Sequence, residues 1–270
     1  MRTVTALALI LLAACATQPM KSSSTKMRPA AVADLAPTGK LRAAINFGNP
    51  VLASKDAATG EAKGVSVDLA RELAQRLGVP LEIVPYTAAG RVVDDAKNGV
   101  WDIAFVAIDP KRGADMAQSP PYVQIEGAYL VRNDSPLRDN AEVDREGTRV
   151  AVGRGSAYDL FLTRELKRAS LVRIPTSPAV VQTMLDDRLE VAAGVKQQLE
   201  ADAKRIGGVR LLPGRFMVIN QAMASRKGAD AGARYVRDFV EDMKASGFVA
   251  SALERHRFEG AAVAPAGDVR

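Results

Sequence analysis

The run Ile103-Ala104-Phe105-Val106-Ala107-Ile108 most restricts the folds open to this chain. Six consecutive apolar residues leave no face for water. The run therefore suits a strand covered on both sides, as in a mostly parallel sheet with helices above and below. Asp109, Lys111 and Arg112 follow at once, around Pro110, before the Pro120-Pro121 turn. An acid and two bases at the end of a buried strand need an explanation.

The flanking sequence supplies the helices and strands that such a sheet requires. Residues 66–78 place Leu69, Leu73 and Leu77 four apart, with Ser66 as a candidate cap and Gly78 and Pro80 as stops. Strand-like segments at 40–47 and 79–86 and a short helix at 88–99 complete a β-α-β-α-β order. After the strand 126–134 the alternation begins again. Strands are expected at the start of 148–166 and at 171–175, 189–195, 209–213 and 215–225. Helices are expected at the end of 148–166 and at 177–188, 196–207 and 231–247. Two successive α/β units are expected, with no short-period repeat.

The N-terminus sets the compartment. Arg2, the apolar stretch Val4 to Leu12 and the small residues Ala13 and Ala14 have the layout of an export signal, too short in its apolar part to span a bilayer. Leu12-Ala13-Ala14-Cys15 resembles a lipobox, in which cleavage leaves a cysteine that becomes lipid-modified. Cys15 is the sole cysteine, so no internal disulfide is possible. The alternative is a plain signal peptide. Residues 16–37, rich in Ser, Thr, Pro and Ala, read as a flexible tether, and residues 259–270 as a disordered tail. The formal net charge of +6 is spread over the chain, and aromatic residues make up only 5% of it. No basic stripe with interleaved aromatics is present, which argues against nucleic acid as a partner.

Four stretches, in this order, resemble the extracytoplasmic solute-binding proteins of ABC importers, in the family that includes the polar amino acid binders. They are "GVSVDLARELAQRLG" (64–78), "GVWDIAFVAIDPKRGADMAQSPPYV" (99–123), "VAVGRGSAYDLFL" (150–162) and "DRLEVAAGV" (187–195). The resemblance implies two α/β lobes joined by two crossing strands, with a ligand held in the cleft. Lobe 1 would take 38–127 and 222–258, and lobe 2 would take 128–221. The crossings would fall near 127–132 and 216–224. It also implies a monomer that hands a small molecule to an ABC permease in the inner membrane, without cofactor or metal.

Several site residues follow from the strand ends, where ligands gather in open parallel sheets. Arg112 offers a planar fork of donors to a carboxylate and falls on the Arg of the family's T-x-x-R pattern. Its bland alternative is a solvated turn. Gly155 and Ser156 lie between a strand and a helix, where free N–H groups can hold an anion. Ser156 can equally be the helix cap. Asn46, Phe47 and Asn49 follow the first strand. There Phe47 is either a stacking surface or ordinary core. Ala107, Val195 and Gln197 complete the lining that the resemblance implies.

Three departures from the family pattern concern the ligand. Asp109 stands where the family usually has Thr. Ala107 replaces a frequent hydroxyl. Val195 replaces the Asp that accepts an α-ammonium in amino acid binders. A buried ammonium needs acceptors to offset its desolvation. The expected ligand therefore carries an acid without a matching ammonium, unless Asp109 supplies the missing carboxylate. Catalytic triads and zinc clusters are excluded because His256 is the only histidine and Cys15 the only cysteine. A binder rather than an enzyme is expected. The rival reading is a cyclohexadienyl dehydratase, a branch of the same fold, which needs a cleft acid with a raised pKa. Asp109 is the one candidate for it.

Overall fold

The computed structural model describes residues 24–258 and 260–267, so the signal peptide and Cys15 lie outside the described residues. The chain begins with α1 (Ser24–Leu35), β1 (Leu41–Asn46), the short pair β2 (Ser54–Lys55) and β3 (Ala62–Lys63), and α2 (Val65–Leu77). It continues through β4 (Leu81–Tyr86), α3 (Ala89–Asp94), β5 (Ile103–Ala107), α4 (Pro110–Gly113) and the long β6 (Met116–Arg132). A second series follows, with β7 (Arg149–Gly153), α5 (Ala157–Glu165), β8 (Ser170–Ile174), α6 (Val180–Asp186), β9 (Val191–Val195) and α7 (Lys196–Ile206). The last elements are β10 (Val209–Leu211), β11 (Met217–Arg226), α8 (Asp230–Ala245), α9 (Phe248–Arg255) and β12 (Ala262–Val263).

Two parallel clusters form the sheet. In one, β1 pairs with β4 and β5, and in the other β7 pairs with β8 and β9. The antiparallel strands β6 and β11 lie between them, in the order β4-β1-β5-β11-β6-β9-β7-β8. The fold is thus α/β and two-lobed, each lobe built on one parallel cluster. β5 is buried along its whole length, which explains its unbroken apolar run. In α2, Leu69, Leu73 and Leu77 all enter the core. Gly78 ends that helix at φ 74°, a left-handed conformation that suits glycine. Ser66 is not its cap. The helix starts one residue earlier, with Gly64 at the cap, and Ser66 turns inward to Tyr122.

β6 changes partners as it passes between the lobes. It pairs with β11 from Met116 to Gly127 and with β9 from Gly127 to Val131. The change of partner falls at Gly127, the first residue of the crossing expected at 127–132. β11 pairs with both β5 and β6 and carries register shifts at Gln221/Ala222 and Ala222/Ala224.

Both chain ends of the described region differ from expectation. Residues 24–35, read as tether, form α1. Its Ala31 and Leu35 are fully buried, and Asp34 Oδ2 accepts the Gly232 N–H of α8 at 2.9 Å. The close fit arises at Gly232, where a Cβ would stand 2.9 Å from Leu35. Residues 260–267, read as a disordered tail, contain β12, which pairs with β6. Composition marks both segments as unstructured, and tertiary surface overrides it. No helix among the described residues is long and apolar enough to cross a membrane.

Candidate functional site

The chemistry at the end of β5 is divided between two residues. Asp109 caps α4, with Oδ1 accepting the Lys111 N–H at 2.9 Å and Pro110 in the first helical position. Its other oxygen accepts from Arg164 Nη1 of α5 at 3.0 Å, so the carboxylate spans the two lobes. Arg112 turns the opposite way. Its Nη1 donates to the Ala107 carbonyl (3.0 Å) and its Nη2 crosses to the Gly155 carbonyl (2.8 Å). The guanidinium is 1% exposed and its Nε has no partner. Burial lowers its pKa to about 10, with Asp109 acting in the opposite direction, so it stays cationic at neutral pH.

Arg112 forms part of the wall of an interlobe cavity of about 50 Å³. The cavity lies at the carboxyl ends of β1, β5, β7 and β9, where ligand sites of open parallel sheets occur. Polar lining comes from Asn46, Asn49, Ser66, Ser156, Tyr158, Ser177, Gln198 and Gln221, and apolar lining includes Phe105, Ala107, Val195 and Ile219. Arg112 is the one charged side chain among the described lining residues. Asn49 Oδ1 is buried without a partner. The Nε of Arg112 and the Oδ1 of Asn49 are thus a buried donor and a buried acceptor without protein partners at this cavity.

Several of the other polar groups are paired within the protein. Ser66 Oγ and Tyr122 Oη are 3.0 Å apart, and Tyr158 Oη donates to Ser177 Oγ at 2.6 Å. Burial raises the pKa of both phenols, which keeps them neutral. Ser156 does cap α5, accepting the Asp159 N–H at 3.0 Å, while Asp159 accepts from the Gly155 N–H at 2.8 Å and pairs with Arg173. Asp159 therefore already occupies part of the anion-binding amide set that the "GRGS" turn offers.

The sequence placed Asn46, Asn49, Ala107, Arg112, Ser156 and Val195 in the site, and the structure brings these six to the same cavity. Four others lie elsewhere. Asp109 is committed to the helix cap and the interlobe pair. Phe47 packs on the core, with the Lys55 ammonium 5.4 Å from its ring centre. Gly155 lends only its carbonyl to Arg112 and lies on a separate outer cavity. Gln197 faces Gly260, and its neighbour Gln198 takes the place in the lining. Ser66, Ser177 and Gln221 were not anticipated. For Ser66 the only sequence signal was a polar residue at the start of an apolar helix, which reads as a cap.

A closed cleft between two α/β lobes, gripped by one buried guanidinium, defines a two-lobed binding protein. Residues 41–259 match the bacterial extracellular solute-binding proteins, family 3, and the chain belongs to that family. The cyclohexadienyl dehydratase of Pseudomonas aeruginosa is 26% identical over 133 residues, 47% of this chain and 49% of that protein. The match thus spans about half the length of that curated relative. Among solved structures, the solute receptor for L-cysteine of Neisseria gonorrhoeae has a TM-score of 0.74 at 22% identity, covering 86% of this chain and 94% of that one. A mutant of ArgBP from T. maritima gives 0.73 at 22%, covering 85% and 100%. An ancestral amino acid-binding protein, a precursor of cyclohexadienyl dehydratase, gives 0.70 at 23%, covering 83% and 98%. At these identities the likeness is one of fold.

Proposed function

We propose that this protein is the solute-capturing component of an ABC importer, held at the membrane by a lipid on Cys15. Its solute is a small carboxylate-bearing molecule that lacks a balancing ammonium. The observation that carries this reading is the unbalanced charge of the cavity: Arg112 is buried with Nε free, and no carboxylate stands among the described lining residues. A buried cation with no carboxylate hydrogen-bonded to it, only the more distant field of Asp109, favours an anionic guest that pairs with it directly. A zwitterionic amino acid would bring an ammonium with no carboxylate to meet it, because Val195 and not an acid lines that wall.

The mechanism is hinge closure. The first lobe supplies Asn46, Asn49 and Arg112, and the second supplies Ser156, Tyr158 and Val195. The solute shifts the lobes toward the closed state by its differential affinity for that state, and the permease then reads the closed rims. A thermal-shift screen of small mono- and dicarboxylates against matched amino acids tests this. The acids are expected to raise the melting temperature and the amino acids to leave it unchanged. The reverse result would overturn the reading.

A second reading is an elimination catalyst, favoured by the partial match to cyclohexadienyl dehydratase. Acid-assisted elimination needs a protonated group in the cleft. Asp109, the candidate for it, is tied to Arg164 and the α4 cap and lies outside the lining. That arrangement supports a binder over an enzyme. Incubation with prephenate or arogenate is expected to give no product.

A further inference from the structure

The C-terminal segment takes an unusual path for a chain end. After α9 it passes Gly260, whose backbone lies so close to Gln197 of α7 that a Cβ would stand 2.6 Å from Nε2. It then runs antiparallel along β6, with Ala262 opposite Gln124 and Val263 opposite Val123, and the Ala264 N–H reaches the Tyr122 carbonyl at 3.1 Å. Ala264 is 4% exposed. The segment ends on α8, where Lys244 Nζ donates to the Pro265 carbonyl at 2.7 Å and the Gly267 N–H meets Glu241 at 3.2 Å. It therefore starts and finishes on the first lobe and touches the second lobe midway.

The place where it pairs is the crossing itself. β11 occupies one edge of β6 as far as Gly127. On β6's other edge, β12 holds Val123 and Gln124, and β9 takes over at Gly127. Between β12 and β9 only Ile125 and Glu126 have no strand on that edge. A strand bonded on both edges resists bending, because a bend breaks ladder bonds on one side or the other.

We propose that residues 260–267 form a strap that keeps the bending of β6 away from Val123–Gln124, leaving it to Ile125–Glu126 and the residues beyond, and holds the lobes toward closure through Gly260 and Gln197. The strap acts whatever the solute, so it stands independently of the reading above. It makes the closure equilibrium a property of a peptide remote from the cavity.

The test uses the full chain with Cys15→Ser and spin labels at Ala58→Cys and Arg168→Cys, exposed positions on the two lobes. Interlobe distances are measured without added solute in this chain, in one ending at Phe258, and in Ala264→Pro, which keeps the tail but removes the donor to Tyr122. Hydrogen exchange at Tyr122–Gln124 reports whether the strap has been released. Both variants are expected to exchange faster there and to show a longer-distance population. The open-to-closed ratio should rise about threefold or more, the factor that one net hydrogen bond is worth. Faster exchange with superimposable distances would overturn the proposal, leaving the tail as packing alone. Unchanged exchange in the truncated chain would overturn it as well, since the strap would not be seated.

Discussion

The inside of the cleft and the seam just outside it use charge in opposite ways, although one short stretch, residues 107–112, supplies both. Inside, Arg112 is 1% exposed and is hydrogen-bonded to carbonyls but to no carboxylate. At the seam, three residues earlier, Asp109 is closed off between a helix cap and Arg164, whose side chain is 47% exposed. The inner charge has no hydrogen-bonded carboxylate, and in the proposed function it is the recognition element. The outer charges are matched across the lobes, and in the proposed hinge mechanism that pair is a contact of the closed state. Had the pairing been reversed, with Asp109 facing Arg112 in the cavity, the site would be neutralised before any solute arrived.

The comparison is broken most directly at Arg112. Arg112→Ala should abolish the melting-temperature rise caused by a carboxylate that stabilises the parent protein. At a hundredfold excess over Kd that loss is about 2.7 kcal/mol of ligand stabilisation. An unchanged rise would remove Arg112 from the site. Next in size is Val195→Asp, which supplies the missing carboxylate. Calorimetry should then show affinity for the acid falling about tenfold or more, close to 1.4 kcal/mol, with a zwitterionic amino acid gaining ground.

Asp109→Ala should cost about 1 kcal/mol of stability through the lost cap. It should also weaken solute binding several-fold, by lowering the closed population rather than by removing a contact. Asp109→Asn keeps a capping oxygen and should recover most of the stability but not the interlobe pair. If Asp109→Ala abolished binding as completely as Arg112→Ala, the division between inner and outer charge would fail. The smallest effect belongs to Arg164→Ala, whose exposed side of the pair is worth at most about 1 kcal/mol and is screened by salt. Titrating sodium chloride into the parent protein should reproduce its effect on affinity and leave Arg164→Ala unmoved.

What the sequence revealed and what it hid divide along physical lines. The buried β5 run, the α2 stripe and the Ser156 cap are local patterns, and each forms where its own residues demand. Arg112 was legible because a strand end carries its successor to the cleft. Asp109 was not, since it is the extended cap residue of a four-residue helix, and its carboxylate is drawn to the Lys111 N–H and to Arg164 of the other lobe, a partner far away in sequence. Gln197 and Gln198 differ by one helical step, about 100°, and the register of α7 on the cavity is set by its packing. The α1 and β12 segments were hidden for another reason. Their own composition gives them little tendency to fold, and the surfaces that order them, Gly232 on α8 and the free edge of β6, lie far away in sequence.

Gly155 and Gly90 meet backbone to backbone across the cleft, with the Gly155 Cβ position 2.7 Å from the Gly90 Cα and φ at 68°. Neither lobe's interior depends on that contact, but the final approach of the two lobes does. A single methyl group at Gly155 would act as a wedge between the lobes. Room to close, in this molecule, is written as an absent side chain.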